Sequence, residues 1–392
     1  MSLQGRLAIA NIVCGNGFVL RYHPRFPFVH EPVLAATTIG ALKTEIREYP
    51  FPEVPPDGGI LQVEAAGVCG SDWQAYQIDR PARIMGHENV GRIYRVGPVA
   101  ARRWGLREGD RVALEEYLPC GHCSLCRSGE YRLCEQTEAR RPGALRYGTT
   151  PVSQAPGLWG GYSQFQYLHP DSVLHRVPEN VPAELAAMCL PLANGIQWAC
   201  LEGRSGPGKT VLIQGPGQQG LACALAAKAA GADYVIVSGL SRDAKRLEIA
   251  RALGAGETID VERTDLVEHV RAFTAGRGVD ITIDTAGGGD TLANAAKVTR
   301  KGGTILFAAA PAAAATNFQW NQLLAARLTL RPCRGHSYEA VELALRYIAS
   351  GRYPLHLMAT HRFGLADVDL AVRSVGGQGA PEAVHVTVFP WT

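Results

Sequence analysis

The sequence predicts an α/β protein whose second half is a doubly wound parallel sheet. Three observations carry this. From about residue 209, short apolar runs alternate with helical patterns. The first of these runs ends in the turn GPGQQG, residues 215–220, which opens a helix. Ahead of this half stands CGHCSLCRSGEYRLC, residues 120–134, with four cysteines and no β-branched run, which reads as a separate loop lobe.

Taken in order, KTVLIQG (209–215) is a short buried strand and LACALAAKAAG (221–231) a small-residue helix. DYVIVSG (233–239) is a strand, and RDAKRLEIARALGA (242–255) is an amphipathic helix ended by Gly254. LVEHVRAFTAGRG (266–278) is a helix, VDITIDTAG (279–287) a strand, TLANAAKVTRKGG (291–303) a helix and TILFAAA (304–310) a strand. Repeated β-α-β units imply a parallel sheet covered on both faces, with right-handed crossovers.

In GPGQQG, Gly215 permits the tight turn, Gly217 lets the backbone approach a pyrophosphate and Gly220 lets the helix pack on the strand. With Gln218 and Gln219 between them, the turn offers free N–H groups to phosphates at the helix start. The adenosine ribose is expected at the end of the second strand, at Ser238, Gly239, Ser241 and Arg242. No acid stands there, and Arg242 can attract a 2′-phosphate, so the cofactor is expected to be NAD(P), leaning to NADP. Upstream, GRSGPGKT (203–210) matches a P-loop pattern. Its lysine leads into a strand and not out of one, so an ATPase is rejected.

Formal charge is +3, from 39 basic and 36 acidic residues, so nothing suggests nucleic acid or an anionic membrane as partner. No apolar run reaches the roughly 18 residues of a spanning helix. The N-terminus lacks the pattern of a signal peptide, and a cytoplasmic location is expected. In a reducing compartment, clustered cysteines are more often metal ligands than disulfides. Cys120, Cys123, Cys126 and Cys134 can close a tetrahedral zinc shell, which leaves no open position and implies a structural ion. An iron–sulfur cluster or a nucleic-acid finger fits the spacing and the few basic residues less well. Two further stretches, GVCGSD with Cys69 and GHENVG with His87 and Glu88, together supply one soft and two harder zinc ligands. Three protein ligands leave a position open, as in a catalytic zinc site.

With GVCGSD, GHENVG, REGDRV, the four-cysteine lobe, GPGQQG and THRF in that order, the chain from about residue 35 onward resembles the zinc-dependent medium-chain alcohol dehydrogenases, including their polyol and threonine branches. The resemblance implies a GroES-like, mainly β catalytic domain over 35–187 and 336–392, with the structural-zinc lobe at 118–136. Between its two parts lies a Rossmann domain over 188–335; residues 1–34 form an extension without an assigned role. It further implies two zinc ions per chain, with Cys69 and His87 as catalytic-zinc ligands and Ser71 in a proton relay. Asp72 is expected to orient a ligand or the backbone. The substrate would be a small alcohol or carbonyl compound, and the assembly a homodimer or homotetramer.

Two positions depart from the family. Where a Cys or Glu usually precedes the Rossmann domain, this chain has Leu190, so Glu88 and a water are expected to complete the shell, with Cys189 as the alternative. Gln74 stands where many members have a proton-passing His. Competing readings are a zinc-free double-bond reductase on the same fold and a zinc-binding interaction protein without activity.

Overall fold

Two large sheets organise the chain, and each follows from the residue pattern that builds it. The computed structural model describes residues 10–14, 18–23, 26–29, 32–138, 141–309 and 318–392. Of the expected extension over 1–34, the strands Ala10–Cys14, Phe18–His23 and Phe26–Val29 form a small antiparallel sheet, and most of the remainder lies outside the described residues.

The parallel sheet holds six strands in the order Glu257–Asp260, Tyr234–Gly239, Thr210–Gln214, Val279–Asp284, Thr299–Phe307 and Thr329–Pro332. Strand order reverses at Thr210–Gln214, which places the crevice of a doubly wound sheet beside its C-terminal end. The two edge strands add to the sequence expectation; both are only four residues long, and neither is a run of buried apolar side chains. The fifth strand starts at Thr299, so TRKGG leaves the expected helix, which ends at Val298. Gly302 takes a positive φ of 66°, incompatible with a continuing right-handed helix.

The helix Gln218–Ala229 is buried along nearly its whole length. Small side chains let it approach the helix Cys189–Ile196 closely: a Cβ on Gly195 would lie 2.4 Å from the Ala222 carbonyl carbon. The helix Tyr338–Ala349, placed with the catalytic part on sequence grounds, packs Ala340, Val341, Ala344 and Leu345 into this same core. Its apolar stripe at helical spacing needs that partner.

The other sheet is mainly antiparallel and centres on Gly59–Val68. Glu88–Val96 pairs on one side, with Gly67 opposite Glu88. His385–Phe389 pairs on the other, with Val386 opposite Val68, so segments far apart in the chain share one sheet. Its core includes the fully buried Tyr76, Tyr147, Trp159 and Tyr162. Among the described residues, no helix is long and apolar enough to cross a membrane.

Candidate active site and metal centres

Cys69 caps the start of the helix Gly70–Tyr76. Its backbone N–H donates to Asp72 Oδ2 at 3.0 Å, and Tyr162 Oη donates to the same oxygen at 3.0 Å. The other oxygen, Asp72 Oδ1, lies 3.3 Å from His87 Nδ1. Asp72 is 3% exposed, so this contact holds the imidazole with Nδ1 toward the carboxylate and leaves Nε2 for a metal. Glu88 opens its strand beside Gly67, where a Cβ would come within 2.6 Å of Glu88 Oε2; only glycine leaves room for the carboxylate.

One ligand atom from each of Cys69, His87 and Glu88 lies within 4.8 Å of the others. Burial holds the Glu88 carboxyl up at about 7 and pushes the Cys69 thiol up, the latter helped by the charge of Glu88. For His87, burial works against the charged form, but Asp72 and Glu116 outweigh it and raise its pKa well above the imidazole range. A largely enclosed cluster of one thiol, one imidazole and one carboxylate, with Glu88 buried and the other two half-buried, suits a divalent cation, whose charge reverses the cost of ionising the thiol and carboxylate there. Cys189 is not part of the cluster; it is buried on its helix beside Leu190, and burial raises its thiol pKa. Ser71 and Gln74 are exposed on the helix that Cys69 begins.

The four lobe cysteines also bring their sulfurs within 4.8 Å of one another. Cys123 and Cys126 Sγ are 3.4 Å apart and Cys120 and Cys126 Sγ 3.8 Å, far beyond a disulfide. A tetrahedron with zinc–sulfur bonds of about 2.3 Å has sulfur–sulfur edges of about 3.8 Å, which this cage matches. Backbone N–H groups of His122 and Cys123 turn toward Cys120 and lower its pKa to about 6. The lobe is not wholly a loop: Ser124–Arg127 is a helical turn, and Tyr131–Leu133 and Glu135–Thr137 are short tight turns of helix. Tyr131 donates to the buried Glu115, and Arg132 pairs with Glu202 at 2.8 Å, which anchors the lobe to the body.

Beside the turn at Gly215 lies a cavity of about 580 Å³. Gly215, with φ of 98°, and Gly217, around which a Cβ would meet nothing within 4 Å, form its floor with Ser238, Gly239 and Arg242. Gly220 lies behind it, its absent Cβ 1.8 Å from Gly215 O, so the helix seats directly on the turn. Gln218, Gln219 and Ser241, expected at the cofactor, do not line the cavity. Ser241 is held elsewhere, its hydroxyl donating to Asp260 at 2.6 Å and its N–H to Glu262 at 2.8 Å. The Gln218 amide turns to the metal cluster, with Nε2 3.3 Å from both Glu88 oxygens.

Sequence reasoning missed the opposite wall of the cavity, Thr285 to Asn294. The signal was available: TAGGGDT follows the strand next to the first one, at the point where strand order reverses. It also missed Tyr162 and His385, single residues remote in sequence whose roles exist only once the sheet is folded.

Comparison with known proteins agrees with this layout. Residues 55–179 match the family described as alcohol dehydrogenase GroES-like domain, and residues 220–350 match zinc-binding dehydrogenase. A Mycobacterium tuberculosis protein named "Probable alcohol dehydrogenase adh" is 36% identical over 353 residues, 88% of this chain and 95% of its own. The L-idonate 5-dehydrogenase of Vitis vinifera is 32% identical, over 87% of this chain and 90% of its own. The crystal structure of an alcohol dehydrogenase from Thermotoga maritima superposes with a TM-score of 0.80 at 26% identity, covering 92% of this chain and 100% of the other. The chain belongs to the zinc-dependent medium-chain dehydrogenases, and within them it is of the alcohol and polyol dehydrogenase type.

Proposed function

We propose that this protein oxidises a hydroxyl group of a small alcohol or polyol, reversibly, with NAD(P) as hydride acceptor and a zinc ion at Cys69, His87 and Glu88. The observation that supports this most is the meeting of the metal cluster with the phosphate-binding turn, through Gln218 and the buried Glu88. When bound, the zinc supplies Lewis acidity that lowers the substrate hydroxyl's pKa, and the nicotinamide supplies the hydride acceptor. The chain does the rest. Asp72 orients His87 and the Cys69 backbone, the glycine turn holds the dinucleotide, and Ser71 takes the hydroxyl proton toward solvent, bypassing Gln74. The four-cysteine lobe holds a second, structural zinc.

The cofactor is proposed to be NADP. Arg242 lines the cavity, the strand Tyr234–Gly239 ends without an acid, and Asp260 is already tied to Ser241 and Arg263. Gly239 itself is crowded: a Cβ there would lie 2.8 Å from Pro216 Cγ, so an acid at 239 would disturb the turn as well as the charge. Arg242→Ala is the cleaner test and should lower the NADP-to-NAD ratio of kcat/KM by about tenfold, the scale of one charge-assisted hydrogen bond. The overall reading is tested by metal analysis with a panel of alcohols, polyols and aldehydes. Two zinc ions per chain and dinucleotide reduction are expected. One zinc without dinucleotide binding would instead favour an inactive interaction protein.

A further inference from the structure

We propose that Gln218 is a positioning residue that couples the dinucleotide site to the metal, so that each ligand changes the affinity for the other. This rests on the function proposed above and goes beyond the expectation that Gln218 contacts phosphate. Gln218 is the first residue of its helix, directly after Gly217 of the turn. Its Nε2 stands 3.3 Å from both oxygens of Glu88, and its Oε1 lies 3.0 Å from His385 Nδ1.

The orientation is fixed by chemistry. A carboxylate only accepts, so the amide nitrogen must face it. The amide oxygen then faces His385, which must donate from Nδ1. His385 is fully buried, and its Nε2 has no hydrogen-bond partner among the described residues, so the ring is held by Gln218, by the nearby Glu184 backbone and by packing. The missing Cβ of Gly67 would lie 2.6 Å from Glu88 Oε2 and 3.0 Å from His385 Cε1, so neither group can retreat toward the strand.

A donor shared between two oxygens at 3.3 Å is long for a charge-assisted bond, which prefers about 2.7–2.9 Å. A shift of the turn by a few tenths of an ångström therefore tightens or breaks it. A dinucleotide held on Gly215 and Gly217 sets the turn's position, and Gln218 passes that position to a metal ligand. Linkage makes the effect reciprocal.

The test measures NADH and NADPH dissociation constants by fluorescence on the full chain, zinc-replete and after chelation to one zinc per chain. In the wild type the two constants should differ roughly tenfold, within the usual range of coupling between sites. In Gln218→Met, similar in length but without the amide, the difference should shrink to less than about twofold, and chelator competition with and without dinucleotide should give the same ratio. Gln218→Glu sets two carboxylates face to face; it should lose the Glu88-site zinc on dialysis and keep the lobe zinc, which preserves the test if the Met variant does not fold. A Met variant coupled as strongly as the wild type, or a wild type without coupling, overturns the inference and leaves the proposed function standing. A wild type that binds no dinucleotide overturns both.

Discussion

The two cysteine-bearing clusters offer opposite solutions to holding one kind of ion. The lobe takes four thiols from fifteen consecutive residues, three half-buried and Cys134 buried, with its own backbone N–H groups turned toward the sulfurs. The Cys69 cluster takes three unlike groups from two segments, with Glu88 buried and Cys69 and His87 half-buried, and leans on Asp72 of the same helix and on Tyr162 and Gln218 from other places in the chain. The first is nearly independent of the fold, whereas the second is a product of it. Sequence locality goes with a closed structural site; support borrowed through tertiary contacts goes with a site that must keep one position open.

The largest expected effect separates the two clusters. Glu88→Gln keeps the shape but removes the charge that balances the ion. It should release one zinc on dialysis, leave the lobe zinc in place and reduce turnover by more than about a thousandfold, roughly 4 kcal/mol of barrier. Retention of both ions and most activity would mean that Glu88 is not a ligand.

The converse break is Cys126→Ser. Here the lobe should lose its zinc and the protein about 4 kcal/mol of stability, a fraction of the binding energy of such sites, while the folded fraction keeps its chemical step. Calorimetry and activity per folded molecule check this; a stable but inactive variant would contradict a structural role.

Tyr162→Phe probes the borrowed support. Removing the hydroxyl leaves Asp72 Oδ2 with only the Cys69 N–H. Zinc affinity at the Cys69 cluster should fall about 10- to 100-fold, with the lobe unaffected. Equal zinc release from both clusters would blur the comparison.

A smaller effect appears in acid. Arg146 outweighs burial to hold the Glu116 carboxyl down at about 2, and Glu116 also acts on His87. A carboxylate depressed on folding contributes stability that is present above its ordinary value of 4.5 and lost as pH falls toward about 2. Glu116→Gln should therefore cost about 2 kcal/mol near pH 6 and flatten the stability–pH curve between about 4.5 and 2. A curve of unchanged slope would assign acid unfolding to other groups.

The lobe was legible because its ligands are neighbours in sequence, and the turn at Gly215 because a strand, glycines and a helix occur in the required order. Cys69, His87 and Glu88 were weak separately and gained meaning from the series of motifs around them. What stayed hidden depends on tertiary contact. Gln218 was read as a phosphate ligand because its place in the turn is visible and the direction of its side chain is not. Ser241 was read as a ribose contact although two acids, Asp260 at the end of the next strand and Glu262 in the turn after it, claim it. The edge strand Glu257–Asp260 escaped because four residues, of which only Ile259 is buried, carry too little periodicity to be told from a loop.

The pairing of His385–Phe389 with Gly59–Val68 has a consequence for the order of events at the ribosome. The strand that neighbours Gly67 and carries His385 emerges roughly 300 residues after its partner, about 15 to 60 s later at common synthesis rates. Throughout that interval the Ala66–Val68 end of this edge lacks its neighbour, although Phe165–Leu168 already pairs with Gly59–Gln62, while the parallel sheet can already close. The nascent chain therefore passes through a stage with a finished nucleotide half and an open β edge. That short edge is where holding chaperones should bind, and where a release delayed by stalling should expose Ala66–Val68 to protease.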